Sequence, residues 1–178
     1  MTPQSSISRF PTGLHELKIK GEFSHPHWMA FLFAGLSAVQ ISVVSGRATR
    51  TGSGWDARLM LDFARSETVP ESLDAVALAL QKPDKTDGAA PRISQFRIAR
   101  RADESLEVWV DGPDQIGFLG RVLGRMSLVM LFPIEIEINT ISSVIHDRFV
   151  FRGIGGVVPS DAAQKSLDSL LQFCVIVP

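Results

Sequence analysis

The sequence predicts an α+β fold in which one unit is written twice, each unit a four-stranded antiparallel sheet with two helices packed on one face. Three observations predict it. Residues 24–29 and 58–61 have counterparts in pattern at 114–119 and 148–151, ninety residues on, and Pro70 and Pro159, eighty-nine apart, each open a helix-like stretch. The order of patterns is the same in both copies: strand, helix, strand, strand, helix, strand. Composition, with 45% hydrophobic and 21% charged residues, supports a packed core and argues against disorder. Residue identity between the copies is low; what repeats is the sequence of periodicities.

In order along the chain, residues 1–13 read as a polar N-terminal tail without periodicity. Residues 14–20 alternate, Leu17 and Ile19 against Lys18 and Lys20, as a half-buried strand does. Ser24 and His25 before Pro26 signal a helix start, because proline's missing N–H is not needed in a first turn. The helix runs to about Leu36, and its apolar residues fall on both faces: Phe31, Leu32 and Leu36 on one, Met29 and Phe33 on the other. Such a helix needs a second burial partner, either the other copy or the same helix in a second chain. Residues 39–49 and 57–63 read as strands around a turn at 51–54. Residues 70–81 read as a helix with Leu73, Val76, Ala77 and Leu80 inward, 82–91 as a loop, and 93–99 as the last strand of copy one.

Copy two begins with a strand at 106–110 and a turn at 112–114. A helix follows, with Phe118, Leu119, Val122, Leu123 and Met126 as its buried stripe and Arg121 and Arg125 outward. Residues 134–139 alternate isoleucine with Glu135 and Glu137. The next strand turns Phe149 and Phe151 inward and Arg148 and Arg152 outward, so that arginines and glutamates pair across an exposed face. Ser160 caps a helix with Ala163, Leu167, Leu170 and Leu171 inward, and 173–177 reads as a terminal strand. The expected division is a tail at 1–13, domain 1 at 14–100 and domain 2 at 105–178, with the charged stretch 100–105 between. Each domain has the split βαβ, ferredoxin-like order of elements.

Composition excludes several classes of function. A net charge of −1 and the absence of a Lys/Arg cluster argue against nucleic acid and against a membrane surface. The same fold hosts RNA-recognition modules, but those need outward aromatics on the middle strands, and Phe149 and Phe151 are spaced for the core. The single cysteine, Cys174, rules out an internal disulfide and fits a reducing cytoplasm. Residues 28–46 carry no charge and have the length of a membrane span. Their second half is diluted by Ser37, Gln40, Ser42 and Ser45, and their counterpart holds Arg121, Arg125, Pro133 and Glu135, so they read as a helix followed by a strand.

The turn Asp114-Gln115-Ile116-Gly117-Phe118-Leu119 is the best candidate site. An aspartate there is placed to accept from free N–H groups of the helix start. A glycine lets a ligand approach the backbone, and a helix N-terminus offers donors to a carboxylate. An ordinary capped helix would use the same residue types. The turn, followed by Phe149-Val150-Phe151 after Asp147-Arg148, resembles the ACT domain family, whose Asp-x-x-Gly-apolar turn opens the first helix. The likeness spans about residues 105–172, and reaches copy one only through the repeat. The resemblance implies tandem ACT-like domains that bind a small effector, an amino acid above all, at Asp114 to Leu119. It implies a cytoplasmic, non-enzymatic, allosteric regulator working as a homodimer, with a regulated protein partner. Copy one departs from the motif: Ser24 replaces the aspartate and His27 replaces the glycine. Ser24, His25 and His27 are therefore weaker binding candidates, and the side chain of His27 is expected to fill a ligand's space.

Other constellations carry less. His25 and His27, with His15, have the donor chemistry of a metal site, but no third ligand is placed, and neither metal nor cofactor is expected. Gly117, Gly120 and Gly124 lack the spacing and context of a dinucleotide loop and suit close helix packing. Cys174 suits a small core position. No nucleophile–base–acid order stands out, so no catalytic residue is expected. The alternative to an effector-binding regulator is a ligand-free dimerisation or protein-interaction scaffold on the same fold.

Overall fold

The computed structural model describes residues 1–84 and 88–176. Alternation decides which face of each strand is buried. In β2 (His15–Gly21) it buries Leu17 and Ile19, and in β4 (Gly54–Asp62) it buries Ala57, Leu59 and Leu61. In β6 (Leu106–Pro113) it buries Leu106, Val108 and Val110, and in β8 (Val144–Gly153) Ile145, Phe149 and Phe151. The remaining strands are β1 (Gln4–Arg9), β3 (Ser42–Thr51), β5 (Gln95–Arg100) and β7 (Leu131–Ile141). Among the described residues these form one sheet in the order β1-β2-β4-β3-β7-β8-β6-β5, each neighbour antiparallel. Four α-helices accompany them: α1 (Trp28–Ala38), α2 (Ala75–Leu80), α3 (Phe118–Leu128) and α4 (Asp161–Cys174). The fold is thus α+β, and the repeat is in register: α1 and α3 start ninety residues apart, at Trp28 and Phe118.

Two expectations about the strands are corrected. Residues 1–13 are not a structureless tail: β1 pairs with β2 along its whole length, from Gln4 with Lys20 to Arg9 with His15. Residues 93–99 do not close the first copy: β5 pairs with β6, and 100–105 forms the hairpin between them, with Arg101 N donating to Ser105 O at 2.9 Å. The expected boundary therefore falls inside a hairpin. Each half takes its outer strand from the residues before its first strand, where an adjacent hairpin closes at lower entropic cost than a return from the far helix. Consistently, residues 173 and 174 of the expected terminal strand at 173–177 belong to α4. Only Val175 bridges to Ile93, residue 177 lies outside the described residues, and Phe173 is 76% exposed. Part of the loop expected at 82–91 also lies outside them.

The two copies share one sheet rather than owning two. β3 and β7 pair from Ser45 with Asn139 to Thr49 with Glu135. An unpaired strand edge is a liability, and each half covers the other's. On the buried face α1 packs against both α2 and α3. Gly35 sits under Leu78, and Gly120 lies so close to Ala34 that a Cβ there would stand 3.0 Å from Ala34 N. The second partner expected for the apolar α1 is thus in the same chain. Gly124, by contrast, faces open space.

Within α2 the expected stripe is out of phase. Pro70–Ser72 is a 3₁₀ turn, and Asp74 caps α2 by accepting from Ala77 N at 2.9 Å, which buries Ala75 and Ala79 and leaves Leu80 46% exposed. In α3 all five expected stripe residues are buried. Ser160 caps α4 as expected, accepting from Ala163 N at 3.1 Å. The opposite sheet face is charged. Arg148 pairs with Glu107, Glu135 and Glu137, whereas Arg152 turns to Asp103 instead. Among the described residues, no helix is long and apolar enough to cross a membrane.

Gly46 is the tight point beside the seam: a Cβ there would meet Arg58 O and Leu59 Cδ2, both at 2.7 Å. Gly46→Val should destabilise the fold by about 1–3 kcal/mol through this overpacking. Urea denaturation checks it, and an unchanged midpoint would contradict the packing described.

Candidate functional site

The turn between β6 and α3 is held from three sides. Asp114 N donates to Ser143 O at 2.9 Å, and Phe118 N to Gln115 O at 3.2 Å. The Gln115 side chain is fully engaged: Nε2 donates to Arg92 O at 2.7 Å and to Pro113 O, while Oε1 accepts from Arg92 N at 3.1 Å and from Arg121. Arg121 also donates to Ile116 O at 3.0 Å. Gly117 is the N-cap residue in a left-handed conformation (φ 82°, ψ 2°), and a Cβ on it would lie 2.9 Å from Ser37 Oγ of α1. The expected roles shift accordingly. Asp114 does not cap α3, and the group that approaches Gly117 is Ser37.

All six residues expected in the site, Asp114, Gln115, Ile116, Gly117, Phe118 and Leu119, line one cleft. Its opposite wall belongs to the other half: Phe33 and Ser37 of α1, Ile41, and Ser42 and Val43 of β3. The floor is Ile138 and Thr140 of β7 with Ile145 and Asp147 of β8. The cleft is partly open to solvent and its volume is about 40 Å³, room for a few water molecules. Two carboxylates, Asp114 and Asp147, line it, and among the described lining residues there is no lysine, arginine or histidine.

Asp147 is the functional candidate that the sequence reading passed over, taking it only as part of a strand. It is 2% exposed, and its Oδ1 accepts from Asn139 N at 3.0 Å. Burial pushes its pKa up to about 7. The Asn139 hydrogen bond works against this, and the charges of Asp114 and Asp111 add to it. The repeat held a signal for it: ninety residues earlier, the same place in β4 is Ala57, buried and apolar as a core strand requires.

The weaker candidates do not form a matching cleft. His27 is the residue before α1, in the place Gly117 holds before α3, and its ring meets Phe132 edge-on at 5.2 Å. Phe132 stands ninety residues after Ser42, so an aromatic ring fills the counterpart of the cleft's open wall. His25 packs on Phe31 at 5.0 Å, and burial first, then the His27 charge, lowers its pKa. Ser24 is exposed and makes no cap. His15 packs against Phe63, and no group of metal-ligating residues gathers among the described residues. Cys174 is buried at the end of α4.

The chain matches no protein-family model, and no curated protein matches it in sequence.

Gly117→Ala should destabilise the fold by about 1–2 kcal/mol, since a Cβ is disfavoured in the left-handed region and Ser37 must move. Equal stability of the variant in urea would contradict the turn geometry. Asp147 gives a signed pH prediction. Between its unfolded and folded pKa values the folded chain holds a proton that the unfolded chain lacks. Its contribution to stability is therefore greatest at low pH and falls by up to about 1.4 kcal/mol per pH unit as pH rises toward 7. Asp147→Asn should match the parent near pH 4 and exceed it increasingly up to pH 7, then by a constant amount. Denaturation midpoints across pH check this, and parallel curves would refute it.

Proposed function

We propose that the chain is a non-enzymatic, small-molecule-binding regulatory protein built from two ACT-like, ferredoxin-like units side by side, and that its effector is an amino acid. The observation that supports this best is the placement of the Asp114–Leu119 turn opposite α1 and β3. The residues that resemble the family's ligand turn form one wall of a cleft whose other wall comes from the other half. A ligand there touches both halves at once, so its binding energy acts on how they pair. A second protein or a second copy of the chain that senses this pairing would then be the regulated partner. The first half, whose counterpart position is closed by His27 and Phe132, binds no ligand in this reading and serves packing.

A panel of the twenty amino acids tests it by thermal shift. A selective rise in Tm for the parent, abolished in Ser42→Phe, which puts an aromatic ring in the cleft wall, is the expected result. A flat response across the panel would favour the ligand-free scaffold instead.

A further inference from the structure

We propose that Asp147 is the cleft's receptor for the ammonium group of a small amino acid, so that the ligand lies with its amine on β8 and its carboxylate at the start of α3. This rests on the cleft reading above and names the ligand class and its orientation.

Three observations carry it. First, Asp147 is the only charged side chain among the described residues that the fold buries, and a buried carboxylate with one hydrogen bond is costly unless something pays its charge. Its Oδ1 is satisfied by Asn139 N; among the described residues, Oδ2 has no partner. The carboxylate lines the cleft rather than the packed interior. Second, among the described residues no cation meets it. On β8, Arg148 is committed to glutamates on the opposite sheet face, and His146 Nδ1 lies 2.7 Å from Asp111. On β6 the residue opposite is Val110, and the nearby charges are the acids Asp111 and Asp114. On β7, Asn139 supplies the amide, and Glu137 faces Arg148 and Arg47. α1 has no charged residue. On β3, Arg47 points to Glu137. On α3, Arg121 donates to Gln115 and Ile116. Third, the cleft lining also includes the first turn of α3, which starts at Phe118, and among the described residues the N–H of the lining residue Leu119 finds no backbone acceptor. Such a donor suits a carboxylate.

The cleft's size sets the rest. About 40 Å³, bounded by Phe33, Ile138 and Ile145, is room for only a few water-sized groups, so a ligand must extend out through the cleft's open mouth and the smallest amino acids are favoured. Glycine, L-alanine and L-serine are the smallest candidates. Ammonium binding requires the carboxylate form of Asp147, so affinity for them weakens by up to about tenfold per pH unit below pH 7.

The test uses the full chain and calorimetric titration with glycine, L-alanine and L-serine, and with propionate, which keeps the carboxylate and lacks the amine. The parent should bind at least one of the three amino acids at pH 8, bind it about tenfold more weakly at pH 6, and not bind propionate. Asp147→Asn, which keeps the shape and the acceptor for Asn139 N, should weaken binding by at least about tenfold at pH 8 and lose the pH dependence. Binding that survives in Asp147→Asn unchanged, or propionate binding as well as alanine, would overturn the role of Asp147 while leaving the cleft as the effector site. Binding of a large amino acid in place of these three would overturn the size class. If no amino acid binds the parent at either pH, the cleft reading falls and this inference with it.

Discussion

The pairing of β3 with β7 is the constraint on which the rest of the molecule turns. Each half would present one of these strands as an open edge. Joined from Ser45–Asn139 to Thr49–Glu135, they make one sheet of two copies. Side-chain pairs at the seam add little: Arg47 and Glu137 stand 4.0 Å apart and are well exposed, a geometry worth under about 1 kcal/mol. The backbone ladder and the burial of α1 against α3 fix the register. That register sets Ser37 against Gly117 and Ser42 beside the turn after β6. The cleft is therefore a product of the seam rather than of either half.

The two clefts that a twofold repeat would create are not equivalent, and the differences are at few positions. Ser42 against Phe132, Gly117 against His27, and Asp147 against Ala57 account for one being open and acidic and the other filled with rings. Replacing Ala57's equivalent with a carboxylate is a stability cost, since burial holds it near neutral pH in its protonated form. Strongly perturbed titratable groups in clefts are found where function needs them, because packing alone favours the apolar residue. The cost of Asp147 thus falls in the cleft rather than in the packed interior.

Much of this was legible in the residues. The ninety-residue offset gave the helix–strand–strand–helix run common to both halves, and the stripe Phe118, Leu119, Val122, Leu123, Met126 gave the buried face of α3, because periodicity reports burial directly. Ser160 marked its helix start correctly, since an N-cap is local chemistry. The errors lie where non-local pairing decides. Whether 93–99 joins the strands before it or after it depends on hairpin closure, which alternation does not encode, and the polar serines of β1 hid an edge strand exposed to solvent. For the site, the turn from Asp114 to Leu119 was readable, but its detail was not. Gly117, not Asp114, begins the helix. Asp147 read only as part of a strand, although alternation from Phe149 and Phe151 inward puts it on their face.

The most direct test of the central claim, that a small amino acid bridges the halves at the seam, is an NMR titration of ¹⁵N-labelled chain with glycine, L-alanine and L-serine. The account predicts that at least one of them produces saturable shifts concentrated at Gly117, Leu119 and Gly120 on one side, Asn139 on the floor and Ser37 and Val43 on the other, with residues around His27 unmoved. Shifts centred on His27 and Phe132, or shifts confined to one half, or no saturable shifts with any of the three, would contradict it.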